Sequence, residues 1–225
     1  MSIRHILFPK AADELEKVLK ETEGIKTWNR NLILAHEKTM KEIFYNALRV
    51  FEHSAVGLAF QLSDDQLKSF RKEFNKKTED IQDLVDDPGK SREKRYDKLR
   101  KYIEGWIGNL TLEQKKDLRN FCQLNVFPYR EQIKNREKLV NDFVAAFPDK
   151  EKRKKYVSEL FLNYEELRDA DYTKVVLADQ DKFIDLLVKL ANEMNEDQVK
   201  HLQSTLKDRI QQLRDSAEGK KRHFF

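Results

Sequence analysis

Across Ser91-Arg92-Glu93-Lys94-Arg95-Tyr96-Asp97-Lys98-Leu99-Arg100-Lys101-Tyr102-Ile103-Glu104-Gly105-Trp106-Ile107, the apolar positions Tyr96, Leu99, Tyr102, Ile103 and Trp106 return every three or four residues with charges between them. That period places them on one face of an α-helix; a half-buried strand would alternate instead. The same period fills the chain on both sides. Downstream, helices are predicted from Leu112 toward Asn125 and, after an interruption at Pro128, from Tyr129 to Phe147. A basic helix is predicted over Asp149 to Leu167 with Tyr156, Leu160 and Phe161 inward, then helices over about Thr173 to Met194 and Glu196 to Ala217. Upstream, a helix from Asp64 to Val85 ends at a predicted turn, Asp86-Asp87-Pro88-Gly89. Before it, a long helix from about Trp28 carries Leu32, Leu34, Ile43, Leu48 and Phe51 inward and loosens around Ser54 to Gly57, and a first helix starts after Pro9 and stops near Gly24. The expected fold is all-α: an elongated multi-helix array of about eight amphipathic helices without a sheet. Residues 1–219 are expected to form a single helical domain, followed by a frayed basic and aromatic tail, 220–225.

Composition excludes the alternatives. Six glycines and four prolines in 225 residues are too few for a sandwich or barrel, which needs a turn about every 10 residues. With 37% charged residues, the apolar stripes must be narrow and the core thin. The longest apolar stretches, Ala55 to Phe60 and Phe183 to Leu190, fall far short of the ~20 residues that span a bilayer. Met1 to Lys10 holds only the short apolar group Ile6, Leu7, Phe8, so no secretory leader is visible. The 44 basic and 40 acidic residues are mixed along almost every segment, which describes solvated helix faces; nucleic acid is not an expected partner. Cys122, the single cysteine, lies between Phe121 and Leu124 and reads as a small core residue.

Three segments share a pattern: Leu62-Ser63-Asp64-Asp65-Gln66-Leu67, Leu110-Thr111-Leu112-Glu113-Gln114 and Met194-Asn195-Glu196-Asp197-Gln198-Val199. Ser63, Thr111 and Asn195 are N-cap residues, and Gln66, Gln114 and Gln198 stand three positions later to close a capping box behind an apolar residue. In the first and third segments Leu67 and Val199 complete a hydrophobic staple. Early acidic residues suit the positive end of the helix dipole. The caps lie 48 and 84 residues apart, unequal intervals that rule out a regular solenoid.

The Leu-Thr-x-x-Gln pattern resembles helix starts of the all-helical, chaperone-like periplasmic proteins Spy and CpxP. A longer resemblance, Arg4 to Ala217, is to a family of uncharacterised bacterial lipoproteins. It rests on Arg4, Phe8 and Pro9, on Leu62 to Gln66, on Trp106-Ile107-Gly108-Asn109-Leu110-Thr111-Leu112-Glu113-Gln114, on Pro128-Tyr129 with Arg136 downstream, and on Asn195 to Leu202. The sequence departs from the family pattern in having Ala11 where an aromatic is expected and Asn195 in place of Thr. The resemblance implies a native precursor with a leader and a lipid-modified Cys, tethered on the periplasmic side of a membrane; Cys122, mid-helix, cannot be that site. If Met1 is the true start, the expected compartment is cytoplasmic.

Enzyme signatures are missing. His36-Glu37-Lys38-Thr39-Met40 begins like a zincin helix, but Met40 stands where the second ligand must be. The glycines form no phosphate loop, and Gly105-x-x-Gly108 reads as a helix ending. No catalytic residue, metal site or cofactor is expected. Two stretches are candidates for partner binding: Lys94 to Tyr102, containing Arg95, and Lys150 to Lys155, containing Lys152, Arg153, Lys154 and Lys155; Tyr129 and Arg136 join them. Either stretch could meet phosphates or an anionic membrane surface, or its tyrosines could be core and its lysines solvated. The expected function is that of a non-enzymatic envelope protein whose helices receive a protein client or envelope partner. The alternative is a cytoplasmic helical nucleic-acid-associated or scaffold protein.

Overall fold

The computed structural model describes residues 4–24 and 27–220, and the predicted tail beyond Lys220 lies outside them. The described residues form ten helices and no strand: α1 (Arg4–Gly24), α2 (Arg30–Gln61), α3 (Asp64–Asp86), α4 (Pro88–Ile107), α5 (Leu112–Leu124), α6 (Tyr129–Ala146), α7 (Lys150–Leu162), α8 (Tyr164–Leu167), α9 (Ala170–Asn192) and α10 (Glu196–Ala217). The all-α expectation holds.

Several boundaries differ from those expected, each for a local reason. Pro9 lies inside α1, which begins at Arg4; a proline removes one amide donor without ending a helix that packing supports. α2 runs unbroken through Ser54 to Gly57. The turn expected over Asp86 to Gly89 shrinks to Asp87, whose Oδ1 accepts the Lys90 amide at 2.9 Å while Pro88 occupies the first helical position, so α4 starts at once. The single helix expected over Asp149 to Leu167 breaks at Asn163, whose backbone leaves the helical region (φ −134°, ψ 37°) and whose Nδ2 donates to Glu159 Oε2 at 2.6 Å.

Packing gathers the helices into two compact units. The first comprises Met1–Ala47, Arg95–Leu124 and Asp181–Phe225. Its core joins Tyr96, Ile103 and Ile107 of α4, Leu118, Phe121 and Cys122 of α5, Leu186 and Leu190 of α9, and Leu202 and Leu206 of α10. These positions recur at three, four or seven, as single helix faces must. α1 lies along α10, where Ala12 is wholly buried and Leu15, Val18 and Leu19 reach the core. α4 stops at Gly108, whose φ of +77° is the left-handed conformation glycine adopts without penalty, and whose amide donates to Glu104 O at 2.9 Å.

The second unit comprises Leu48–Lys94 and Asn125–Gln180. Its buried cluster is far smaller: Val56, Ala59 and Val157, with Ala55, Leu62, Phe143 and Phe161 against them. α6 packs on both α3 and α7. Polar groups supply part of the order: the Tyr156 hydroxyl donates to Leu139 O at 2.7 Å, and buried Asn135 accepts the Asp169 amide at 2.8 Å. Burial pushes the Tyr156 phenol well above its ordinary range, with the Asp142 carboxylate adding to the effect.

Candidate functional site

All three predicted capping boxes form. Ser63 Oγ accepts the Gln66 amide at 3.3 Å and Gln66 Oε1 accepts the Ser63 amide at 2.9 Å. The reciprocal bonds are 3.2 and 3.0 Å for Thr111 and Gln114, and 2.9 and 3.2 Å for Asn195 and Gln198. Beyond this the boxes part company. Ser63 and Gln66 are exposed, whereas Gln114 is wholly buried and Gln198 only 4% exposed.

The two buried glutamines of the first unit face each other. Gln114 Nε2 donates to Gln198 Oε1 at 3.1 Å, and Gln198 Nε2 donates to Gln114 Oε1 at 2.8 Å. Their second donors reach the backbone two residues ahead of the opposite N-cap: Gln114 Nε2 to Glu193 O at 3.4 Å, and Gln198 Nε2 to Asn109 O at 3.0 Å. Each side-chain oxygen thus accepts twice and each amide nitrogen donates twice, the full capacity of the group. The pair clasps the start of α5 to the start of α10 with local two-fold character, 84 residues apart in sequence. Each box predicts its own cap; nothing in the sequence marks the pairing, because capping already accounts for each Gln.

In the second unit the aromatic side chains form a ledge. Phe70 of α3 meets Phe143 of α6 edge-on (centroids 5.9 Å apart), and Phe143 in turn contacts Phe147 at 6.0 Å and Tyr156 of α7 at 6.2 Å. Phe70 remains 46% exposed, as does Phe60 at 42%, with the Lys150 ammonium 4.8 Å from the centre of the Phe60 ring. Both rings lie at the surface of a unit whose buried aliphatic cluster is small. Lys152, Lys154 and Lys155 are exposed on α7, and Lys68, Arg71, Lys72 and Lys76 line an open hollow on α3 with Asn75 and Glu79.

Arg153 does not belong to that basic surface. It is 5% exposed; its Nη1 donates to Ala59 O at 3.0 Å and Leu62 O at 3.1 Å, and its guanidinium lies 4.0 Å from the Phe147 ring centre. It closes the carbonyl end of α2, as a cation at a helix C-terminus should. Arg95 is likewise buried, over Phe121 at 4.8 Å, and Arg136 is half-buried over Phe74 at 4.4 Å. Tyr129 is half-buried against Phe127. Of the Lys94 to Tyr102 stretch, Tyr96 is core and Tyr102 stands 61% exposed.

His36, first residue of the incomplete zincin pattern, ties α2 to α1: Nδ1 lies 2.8 Å from Glu14 Oε1 and Nε2 2.5 Å from Glu21 Oε2. Burial pushes the Glu14 carboxyl up, but hydrogen bonds from His36 and Lys17 outweigh it and hold the group below its ordinary value. Arg30 pairs with Asp181 and Asp185 of α9. Among the described residues no group of three His, Cys, Asp or Glu side chains is placed to hold a metal ion, and no helix is long and apolar enough to cross a membrane.

The model of a family of unknown function, DUF6279, matches residues 3–173. The chain belongs to this family. The match takes in the Ser63 and Thr111 boxes, the Pro128-Tyr129 segment and Arg136, while Asn195 and Gln198 lie beyond it. In DUF6279 terms, then, the Gln114 clasp draws its second half from outside the matched region. No curated protein and no solved structure matches the chain.

Proposed function

We propose that the chain is a non-enzymatic protein-binding module, chaperone-like in action, of the bacterial envelope. The observation that carries the binding reading is the exposed aromatic surface of the second unit: Phe70 stands nearly half exposed at the edge of the Phe143 cluster, and Phe60, nearly as exposed, lies against Lys150 of α7, a helix that also exposes Lys152, Lys154 and Lys155. Apolar surface grouped at a basic rim suits an extended or partly unfolded chain, which offers apolar side chains among acidic ones. Charge at such a rim governs encounter rate more than residence time. The envelope location rests on the resemblance of the Arg4, Leu62–Gln66, Trp106–Gln114 and Pro128–Arg136 segments to lipoproteins, with tethering through a lipid-modified Cys in the precursor.

The test is aggregation of a heat-unfolded substrate protein, followed by light scattering without ATP. The reading expects suppression near one chain per client, weakened by replacing Phe60 and Phe70 with Ser and slowed by replacing Lys152, Lys154 and Lys155 with Gln. Undiminished aggregation of several unrelated clients overturns it. A steep salt dependence of binding to single- or double-stranded DNA or RNA would favour the nucleic-acid alternative, with the α3 hollow as its site. The compartment is tested separately by reading the coding sequence upstream of Met1 for a leader with a lipid-acceptor Cys.

A further inference from the structure

The first half of α2, residues 30–47, belongs to the first unit yet adds nothing to its core. None of these described residues is buried, and its better-covered apolar side chains, Leu32, Ile33, Leu34 and Ile43, are half-buried. Polar contacts hold its start: Asn192 of α9 accepts the Trp28 amide at 2.8 Å and donates to the Trp28 carbonyl at 2.9 Å, and Arg30 pairs with Asp181 and Asp185 of the same helix. Further along, His36 is tied to α1. A segment with few buried apolar contacts opens at low cost, so its polar ties decide whether it stays closed.

The His36 tie depends on protons. Its ring nitrogens face two carboxylates, Nδ1 at 2.8 Å from Glu14 Oε1 and Nε2 at 2.5 Å from Glu21 Oε2, and each contact needs a hydrogen between its atoms. A neutral imidazole brings one N–H; its other nitrogen would set a lone pair against a carboxylate oxygen. Closure therefore holds one proton more than a neutral ring and two carboxylates carry. Glu14 is 4% exposed, so water is poorly placed to replace the ring, and Lys17 Nζ already donates to its other oxygen at 3.0 Å. The nearby charges are engaged with one another: Glu37 and Lys41 of α2 pair at 2.9 Å, and Arg214 of α10, which packs along α1, reaches Glu16 at 2.8 Å.

We propose that His36, Glu14 and Glu21 form a proton-gated latch, which holds the first half of α2 on α1 while the ring carries both protons and lets it open once one is lost. Histidine is the side chain whose charge ordinarily changes between about pH 5 and 8. The closed form binds the extra proton, so raising the pH moves the population toward the open form. Glu14 acts with the opposite sign: held below its ordinary value, it gives up its share of the tie on acidification. The latch is thus strongest between the two losses. Opening leaves the anchors at Trp28 and Arg30 in place, because neither a backbone amide nor a guanidinium changes charge in this range. The movement is confined to the stretch of α2 beyond them.

Hydrogen exchange of the full chain at about pH 5.5 and about pH 8, read peptide by peptide relative to an unstructured chain at the same pH, tests this. The wild type is expected to lose protection over residues 30–47 at least ~10-fold at the higher pH, while peptides from α5 keep theirs. His36→Gln, whose one amide nitrogen replaces two ring nitrogens, is expected to show the low value at both. Glu21→Gln separates the latch from general loosening in alkali: its carboxamide can donate to an unprotonated Nε2, so this variant should keep its protection at the higher pH. Wild-type protection over residues 30–47 that does not change with pH, a loss equally large in α5, or a Glu21→Gln chain as pH-sensitive as the wild type would each overturn the proposal.

Discussion

Replacing Gln114 by Ala is the sharpest probe of the first unit. The side chain leaves four partners: Gln198 Nε2 and Oε1, the Glu193 carbonyl and the Thr111 amide. Thr111 is only half-buried and can turn to water, and the Gln198 oxygen keeps the Asn195 amide. Glu193 is exposed, so its carbonyl can also turn to water, and the full loss falls on one Gln198 N–H, in a residue only 4% exposed. At about 1–3 kcal/mol for a buried group left unpaired, on top of about 0.5–1 kcal/mol for the capping-box bond given up, Gln114→Ala should cost roughly 2–3 kcal/mol. Thr111→Ala, which removes only a cap acceptor, should cost about 1 kcal/mol, and Gln66→Ala in the exposed box less than that. Capping alone would rank Gln114→Ala below Thr111→Ala; the clasp reverses that order. Urea titrations of the Gln114→Ala and Gln198→Ala variants and of the double variant supply the coupling energy, expected at about 1–2 kcal/mol because the second deletion removes a group the first has already orphaned. Additive losses, or a Gln114→Ala cost no larger than that of Thr111→Ala, would refute the clasp.

Three further outcomes follow from particular side chains. Arg153→Ala should cost roughly 2–4 kcal/mol in denaturant unfolding, because it frees two carbonyls at the end of α2 and removes a cation from the Phe147 ring, whereas Gln at Lys152, Lys154 and Lys155 should stay within about 0.5 kcal/mol. Glu14, held below its ordinary value of 4.5, contributes stability that is complete above that value and is lost as pH falls through its folded-state value; unfolding midpoints of Glu14→Gln should therefore fall less steeply than wild type on acidification below about pH 5. Leu118→Ala, at a wholly buried position in the core that α4, α5, α9 and α10 share, should cost about 2–5 kcal/mol by thermal or chemical unfolding.

Local signals in the sequence are enough for most of the fold. α10 spans Glu196–Ala217 as expected because both its ends carry their instructions nearby: the Asn195 box at one and the approach to Gly219 at the other. Errors arose where one residue carries two readings. Pro9 reads as a helix start and is interior; the Asp87-Pro88 pair reads as a turn and is a cap followed by a first helical residue. The candidate site was less legible, because its content is long-range. Arg153 is one of five bases in a row of six, and only the end of α2, more than 90 residues away, makes it structural. Gln114 and Gln198 looked complete as caps. Phe51 satisfies the period of an inward face yet stands 49% exposed, since helical periodicity fixes which residues share a side of α2 and not which side the core takes.

The central claim, that the second unit's ledge receives an extended client, is tested most directly by fluorescence-anisotropy titration of a labelled, permanently unfolded polypeptide with the wild-type chain and with the Phe60→Ser, Phe70→Ser double variant. Saturable wild-type binding, weakened at least ~10-fold in the double variant while helical circular dichroism and the Gln114 coupling energy stay unchanged, is the expected result. Equal affinity of the two proteins for the polypeptide, or none in either, would contradict it.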